Sequence, residues 1–130
     1  MLRILTTDME PISEHHGTVT SWFMYPKESL RSATEGSYLE FVNEFQLDPG
    51  VSIEPHRHNS HEFYYVLKGG GTMRVGDEER AMVPGEMVHI GPDEAHSLRA
   101  GDEGVRCFAF AVSFMQPGES YSVADFDNWH

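Results

Sequence analysis

Three histidines and a glutamate stand within seven positions in HRHNSHE, residues 56–62. Alternate residues of a β-strand point to the same face, so His56 and His58 can direct both imidazoles to one point. A buried carboxylate is costly unless it meets a cation, which makes Glu62 a further ligand candidate if it faces the interior. His96, in PDEAHSL, follows a turn and opens another strand-like run. Imidazoles and a carboxylate together suit a divalent transition metal, so a metal site is one interpretation of this spacing. Core or surface histidines with ordinary hydrogen-bond partners are the other.

The segment HEFYYVLK, residues 61–68, alternates between two faces as a β-strand does. The set expected to face the interior is Glu62, Tyr64 and Val66. Tyr64 is therefore the candidate catalytic acid or base nearest to the expected metal. Simple packing in the interior is the alternative role for this side chain.

The other histidines are expected outside the ligand set. His61 has the opposite parity to Glu62, so it faces outward or contacts a ligand residue. His89, in MVHI, is a candidate for lining the pocket or orienting a ligand. His15 and His16 precede a glycine in a polar loop, and the remaining histidine is the last residue of the chain.

The composition describes one soluble domain. A chain of 130 residues has the usual length of a single domain, and 39% hydrophobic residues provide a core. The formal net charge of −12 repels nucleic acid and anionic membranes, so we expect neither as a partner. The N-terminus lacks the apolar run of a signal peptide, and the single cysteine, Cys107, excludes an intramolecular disulfide. We therefore expect a cytoplasmic location, with Cys107 buried in the apolar run CFAFAVSF.

Strand-like runs separated by turn residues fill most of the chain. In SYLEFVNEFQL, residues 37–47, apolar positions alternate with Glu40, Glu44 and Gln46, which indicates a half-buried strand. Later runs are HEFYYVLK, TMRV, RAMV, MVHI, AHSL and VRCFAFAVSF, with GGG and RAGDEG as bends or turns between neighbours. Short strands at this spacing are typical of an all-β sandwich or barrel. A short helix or a loop is expected in YPKESLRSATEG, residues 25–36.

Two segments resemble the motifs of the cupin family. GVSIEPHRHNSHEFYYVLKG matches the first motif, G-x5-H-x-H-x3-E-x6-G, at all five fixed positions. These positions are Gly50, His56, His58, Glu62 and Gly69. PGEMVHIGPDEAHSLRA is similar to the second motif, G-x5-P-x-G-x2-H-x3-N, with Gly85 at its start and His96 in the ligand place. It departs from that motif at Gly91, Asp93 and Ala100, where the family has proline, glycine and asparagine.

The resemblance implies a double-stranded β-helix, or jelly-roll, barrel whose metal ligands correspond to His56, His58, Glu62 and His96. It implies one divalent transition metal per chain, and three imidazoles with one carboxylate suit iron, manganese, zinc, nickel and copper alike. It also implies a small-molecule ligand or substrate. A dioxygenase-type oxidoreductase is one expectation. A non-oxidative isomerase or lyase and a non-catalytic metal and small-ligand binding module stay open, because the fold does not select among them.

We expect a single cupin domain over residues 1–130, with the barrel over 38–116 and a C-terminal tail over 117–130. The N-terminal extension, residues 1–37, contains the strand-like pieces RILTT and TVTSWFMY, which the motif-bearing barrel does not use. Its aromatic residues would leave an apolar patch in water if the extension had no partner. We therefore predict a homodimer in which this extension extends or covers the neighbouring sheet.

Overall fold

The computed structural model of the protein describes residues 3–25, 29–34 and 38–113, together with the backbone of 122–123. In chain order, the strands and the helix are β1 (Ile12–Glu14), β2 (Val19–Phe23), α1 (Ser29–Ala33), β3 (Leu39–Leu47), β4 (His56–Arg57), β5 (Ser60–Val75), β6 (Glu78–Met82), β7 (Met87–Ile90), β8 (His96–Ser113) and β9 (Ser122–Val123). Short 3₁₀ turns at Thr6–Asp8 and His15–Gly17 flank β1. The all-β expectation is confirmed. None of the described helical segments has the length and apolar composition of a membrane span.

The described strands pair in antiparallel fashion throughout. Strands β1, β2, β3, β8, β4 and β9 are neighbours in that order, and β5 pairs with β6, β7 and β8. The two longest strands, β5 and β8, run alongside each other from Ser60↔Ser113 to Val75↔His96. His96, the first residue of β8, lies opposite Val75 at the end of β5 and also pairs with His56 of β4.

The inner faces of β3, β5 and β8 supply the core. Leu47 closes β3 with no exposed surface, and the β5 residues Glu62, Tyr64 and Val66 are at most 6% exposed. The interior set predicted for HEFYYVLK is therefore confirmed. Cys107 of β8 is 1% exposed, and burial raises the pKa of its thiol to about 12. The expectation that Cys107 is buried is therefore confirmed.

Strands β5 and β8 are longer than the sequence predicts. We expected a bend at GGG and a turn at RAGDEG, but 16 residues of β5 and 18 residues of β8 continue through both segments. The glycines let the two backbones approach closely where their register shifts. A Cβ atom on Gly69 would collide with the carbonyl oxygen of Gly104, and one on Gly71 with the carbonyl oxygen of Arg99. These glycines therefore remove steric hindrance between paired strands instead of ending them.

A β-bulge at the beginning of β3 changes the side to which Glu40 points. The alternation of residues 37–47 predicts Glu40 on the same polar face as Glu44. The register with β8 jumps between Leu39 and Phe41, which leaves Glu40 as the extra residue. Its side chain is half-buried and its Oε2 atom is completely buried. The prediction for Glu40 is therefore wrong, because a bulge interrupts the two-residue period.

The N-terminal extension agrees with the prediction in part. Strand β2 forms within TVTSWFMY as expected, and it pairs with β3 of the same chain. Helix α1 lies within residues 25–36, where a short helix was one expectation. RILTT is not a strand: residues 3–5 are irregular and a 3₁₀ turn follows, closed by the amide of Asp8 on the carbonyl of Leu5. Trp22 of β2 is half-buried, and the guanidinium of Arg106 lies 4.0 Å above its ring.

Candidate metal centre

Four predicted ligand residues come together on the inner side of the barrel. His56 lies in β4, Glu62 in β5 and His96 at the start of β8, while His58 occupies the short connection between β4 and β5. One ligand atom from each residue lies within 4.8 Å of the others. His56, Glu62 and His96 are at most 5% exposed, and the side chain of His58 is 8% exposed. The four donors can therefore converge on a single ion.

Backbone carbonyl groups orient two of the imidazoles. The Nδ1 atom of His56 lies 2.8 Å from the carbonyl oxygen of Glu54, and Nδ1 of His96 lies 2.9 Å from that of Glu94. A carbonyl oxygen only accepts, so Nδ1 carries the hydrogen in both rings. In the neutral form of either ring, Nε2 then keeps a lone pair, and this is the form that binds a metal.

Glu62 is the centre of the hydrogen-bonding arrangement. Its Oε1 lies 3.0 Å from Nε2 of His58, and its Oε2 lies 3.2 Å from Nε2 of His96. The hydroxyl of Tyr64 donates to Oε2 over 3.0 Å. Burial alone would raise the pKa of Glu62, but the hydrogen bond from His58, with the imidazole of His96 also close by, holds it well below its usual range. Glu62 is therefore an ionised carboxylate inside the barrel.

The histidines of the cluster differ in charge. Burial, and after it the neighbouring His96, lowers the pKa of His56 to about 3, so this ring is neutral at physiological pH. Burial also opposes charge on His58, but the hydrogen bond to Glu62 and the charge of Glu62 raise the pKa of His58 above its ordinary value. A protonated His58 therefore balances Glu62 when no cation is present. A divalent ion would replace that proton.

The donor set fits the metal that the resemblance implies. Three imidazoles and one carboxylate are ligands of a borderline divalent ion, and the set does not choose among iron, manganese, zinc, nickel and copper. The buried charge of Glu62 is the feature that most favours a cation here, because a carboxylate in a closed interior needs positive charge nearby. The fixed Nδ1 hydrogens of His56 and His96 favour the same conclusion.

Tyr64 lies beside the cluster, as predicted. It is 6% exposed, and its ring packs edge-on against Phe45 with 5.0 Å between ring centroids. Burial raises the pKa of Tyr64 well above its usual range, and the charge of Glu62 adds to the shift. The hydroxyl is therefore protonated without a metal. The hydroxyl therefore contacts a ligand residue directly, and Tyr64 stays a candidate acid or base.

The other histidines that the structure describes occupy two locations. His61 faces outward, and its Nδ1 lies 2.8 Å from Nε2 of His89, which stacks on Phe63. His89 is exposed and outside the interior, so the expectation that it lines the pocket is wrong. His15 was expected in a polar loop, but its ring lies 4.7 Å from that of His56, and Nδ1 is 3.6 Å from Oε1 of Glu54. No local pattern signals this contact, because it depends on how the β1–β2 turn folds onto the barrel.

Comparison with known proteins places the chain in a family. The family model described as cupin domain matches residues 43–113, which is more than half of the chain. The chain belongs to the cupin domain family. This confirms the resemblance seen in the two motifs and the jelly-roll barrel.

One curated relative of this cupin is dimethylsulfoniopropionate lyase DddW of Ruegeria pomeroyi. The two are 30% identical over 82% of this chain and 69% of the lyase. A predicted oxalate decarboxylase from Thermotoga maritima is similar in structure, with a TM-score of 0.74, 20% identity, and coverage of 87% of this chain and 100% of the other. The polyketide cyclase RemF from Streptomyces resistomycificus has a TM-score of 0.73 and 20% identity, covering 98% and 88%. Both structural similarities support the fold alone.

Proposed function

We propose that this cupin is a metal-dependent lyase acting on a small carboxylate that carries a leaving group on its β-carbon, of the dimethylsulfoniopropionate kind. His56, His58, Glu62 and His96 would hold one divalent transition metal per chain. The observation that carries the proposal is the buried Tyr64 hydroxyl, 3.0 Å from a carboxylate oxygen of Glu62. It supplies a proton-transfer group at the metal centre. The identity shared with a dimethylsulfoniopropionate lyase supports the choice of reaction.

The reaction would be a β-elimination. When bound, a divalent ion supplies Lewis acidity, which acidifies the hydrogen next to the substrate carboxylate and lowers the pKa of Tyr64. Tyr64, as the phenolate, takes the proton from the α-carbon. The electron pair of the C–H bond forms the double bond, the C–S bond breaks, and its electrons leave with neutral dimethyl sulfide. The remaining product is acrylate, and Tyr64 carries the proton until solvent removes it.

The test is release of dimethyl sulfide from dimethylsulfoniopropionate by metal-loaded protein, measured by gas chromatography. We expect Tyr64→Phe to lower kcat by about 100-fold or more, because general acid–base groups contribute 10²–10⁴-fold. Its metal content should not change. Tyr65→Phe is the matched control, since Tyr65 is the next residue of β5 and faces outward with 42% exposure. Full activity in Tyr64→Phe would contradict the role of this hydroxyl.

Assays of the wild-type protein also separate the lyase from two of the alternatives that the sequence left open, the dioxygenase and the binding module. Dimethyl sulfide release without oxygen uptake supports the lyase. Oxygen uptake with catechols or diketones would instead favour the dioxygenase-type reaction that the sequence left open. Tight binding of small carboxylates without turnover of any of these substrates would favour the binding module.

We also propose that the protein is a cytoplasmic homodimer, as expected from the sequence. Three large apolar side chains of the N-terminal segment support an interface there: Ile4 is 37% exposed, Leu5 53% and Ile12 45%. Ile12 begins β1, the outer strand of the β1–β2–β3 arrangement. Light scattering coupled to gel filtration should give twice the chain mass of 14.7 kDa. Ile12→Lys should shift the protein toward monomer, since a lysine on an edge strand opposes strand pairing. A wild-type mass near that of one chain would contradict the dimer.

A further inference from the structure

The turn between β1 and β2 has a left-handed backbone. His15 and His16 have φ angles of 48° and 57°, and Gly17 follows at 87°. This region is unfavourable for residues that carry a Cβ atom, and such residues adopt it where surrounding contacts impose it, often at functional sites. Thr18 supplies one such contact, because its amide and its hydroxyl both donate to the carbonyl oxygen of His15, over 3.2 and 2.7 Å. The direction in which the two imidazoles leave this turn therefore has a structural cost.

Both imidazoles of the turn contact the carboxylate of Glu54. Nδ1 of His15 and Nε2 of His16 each lie 3.6 Å from Oε1 of Glu54. The two rings differ in exposure, since 15% of the His15 side chain is exposed, against 79% for His16. The turn thus places one ring against the barrel and leaves the other mostly in solvent.

His15, Glu54 and His56 form a closed set of contacts. The ring of His15 lies against that of His56, with 4.7 Å between the ring centroids and 49° between the ring planes. Nδ1 of His56 donates to the backbone carbonyl oxygen of Glu54 over 2.8 Å. His15 therefore contacts both a predicted metal ligand and the residue whose carbonyl group orients that ligand.

We propose that His15 is a positioning residue of the metal centre and holds the ring of His56 in the orientation that binds the ion. The torsion that rotates a histidine ring has broad minima, so a single hydrogen bond leaves the ring some freedom. The carbonyl of Glu54 fixes one edge of the His56 ring, and the ring of His15 packs against it. The left-handed turn brings His15 to this place. The inference rests on the metal-binding part of the proposed function, because it concerns how one of the four ligands is held.

Zinc affinity, measured by competition with a chromogenic chelator, tests the proposal. We expect His15→Ala to weaken zinc binding by about 10-fold, the lower end of the effect of losing a group that orients a metal ligand. His15→Phe should recover most of this loss, because it keeps an aromatic ring beside His56. An absence of recovery would contradict the proposal.

His16→Ala is the matched control for the zinc measurement. It removes the other imidazole that contacts Glu54 from the same left-handed turn, but that side chain is mostly exposed. Contacts of this kind at the surface contribute little, so the affinity of His16→Ala should equal that of the wild type. An equal loss in His15→Ala and His16→Ala, or wild-type affinity in His15→Ala, would overturn the proposal.

Proton NMR of the metal-free protein at neutral pH distinguishes positioning from a general loss of structure. The Nδ1 hydrogen of His56 should exchange slowly with water in the wild type and faster in His15→Ala. The Nδ1 hydrogen of His96, which bonds to the carbonyl of Glu94 over 2.9 Å, is the internal control and should keep its wild-type rate.

Unchanged exchange at His56, or equally faster exchange at His56 and His96, would overturn the proposal even if zinc affinity falls. Faster exchange at His56 alone, in a protein whose wild type binds no zinc, would support the role of His15 in holding that ring. The same result would contradict the proposed metal centre, so the two failures are distinguishable.

Discussion

Strand β5 carries histidine contacts on both of its faces, and the two groups differ in a way that defines a metal site. On the outer face, His61 and His89 have ring nitrogens 2.8 Å apart and pack beside Phe63. On the inner face, three imidazoles surround the carboxylate of Glu62. Among the described residues, only this inner cluster brings three or more metal-ligating side chains close enough together to bind one ion. Two imidazoles in contact are thus not enough to make a metal site. A buried negative charge and ring orientations fixed by hydrogen bonds distinguish the inner group.

Removal of single imidazoles should give the largest effect in this comparison. His56→Ala, His58→Ala and His96→Ala should each lower bound metal well below one ion per chain, because each removes one of four donors. His61→Ala should retain the wild-type metal content, since its ring lies on the opposite face of β5. Elemental analysis of protein purified without added metal measures the metal content of these three variants and of the His61→Ala control. Full occupancy after His96→Ala would show that the cluster is not the binding site.

Glu62→Gln tests whether charge, and not proximity, makes the inner group different. We expect weaker metal binding, because the ion loses its single anionic ligand. The metal-free variant should also lose about 1–3 kcal/mol of unfolding free energy, since Glu62 accepts a charge-assisted hydrogen bond from His58 in the interior. Urea unfolding near pH 6.5 measures this loss. Glu79→Gln, an exposed control on β6, should change neither quantity. Unchanged stability in Glu62→Gln would mean that the His58–Glu62 pair contributes nothing to the fold.

The pH dependence of the metal-free protein should show the smallest effect, with two opposite slopes. The pKa of His58 is raised, so its contribution to stability is complete below the unfolded pKa of about 6.5 and is lost as pH rises through the raised value. The pKa of His56 is lowered to about 3, so stability also falls as pH decreases from 6.5 toward 3. Stability should therefore be greatest near pH 6.5. Metal affinity should instead keep rising with pH, because binding displaces the proton of His58.

Thermal unfolding and zinc titration at several pH values check these slopes. His61→Ala should leave both profiles unchanged, since the outer pair does not contact the cluster. A stability that rises from pH 6.5 to 8 would contradict the raised pKa of His58.

The sequence predicted the site more completely than the strands that build it. His56, His58 and Glu62 lie within seven positions, so local spacing was sufficient to group them. His96 was identified from the second motif, although Gly91 and Asp93 depart from the family pattern there. These departures do not prevent His96 from pairing with His56 across β4 and β8.

Features that depend on contacts between distant segments were not predictable. The glycines of GGG are turn-forming residues in isolation, but the close approach of β8 makes them part of a continuous strand. The inward direction of Glu40 follows from a bulge, which a simple alternation of polar and apolar residues does not reveal. The packing of His15 against His56 depends on the position of the β1–β2 turn. Each case requires knowledge of a neighbouring strand or turn.

The burial of Cys107 gives the protein a built-in reporter of how often its barrel opens. The thiolate is the reactive form of cysteine, and a thiol that is 1% exposed with a pKa of about 12 is protected from alkylating reagents in the folded state. Labelling must wait until β8 separates from its neighbours, so its rate follows the population of the opened barrel. A ligand that binds only the closed form lowers the rate of Cys107 alkylation, and tighter binding lowers it more. The single cysteine can thus rank metals and small molecules by mass spectrometry, without a known substrate and without an introduced probe.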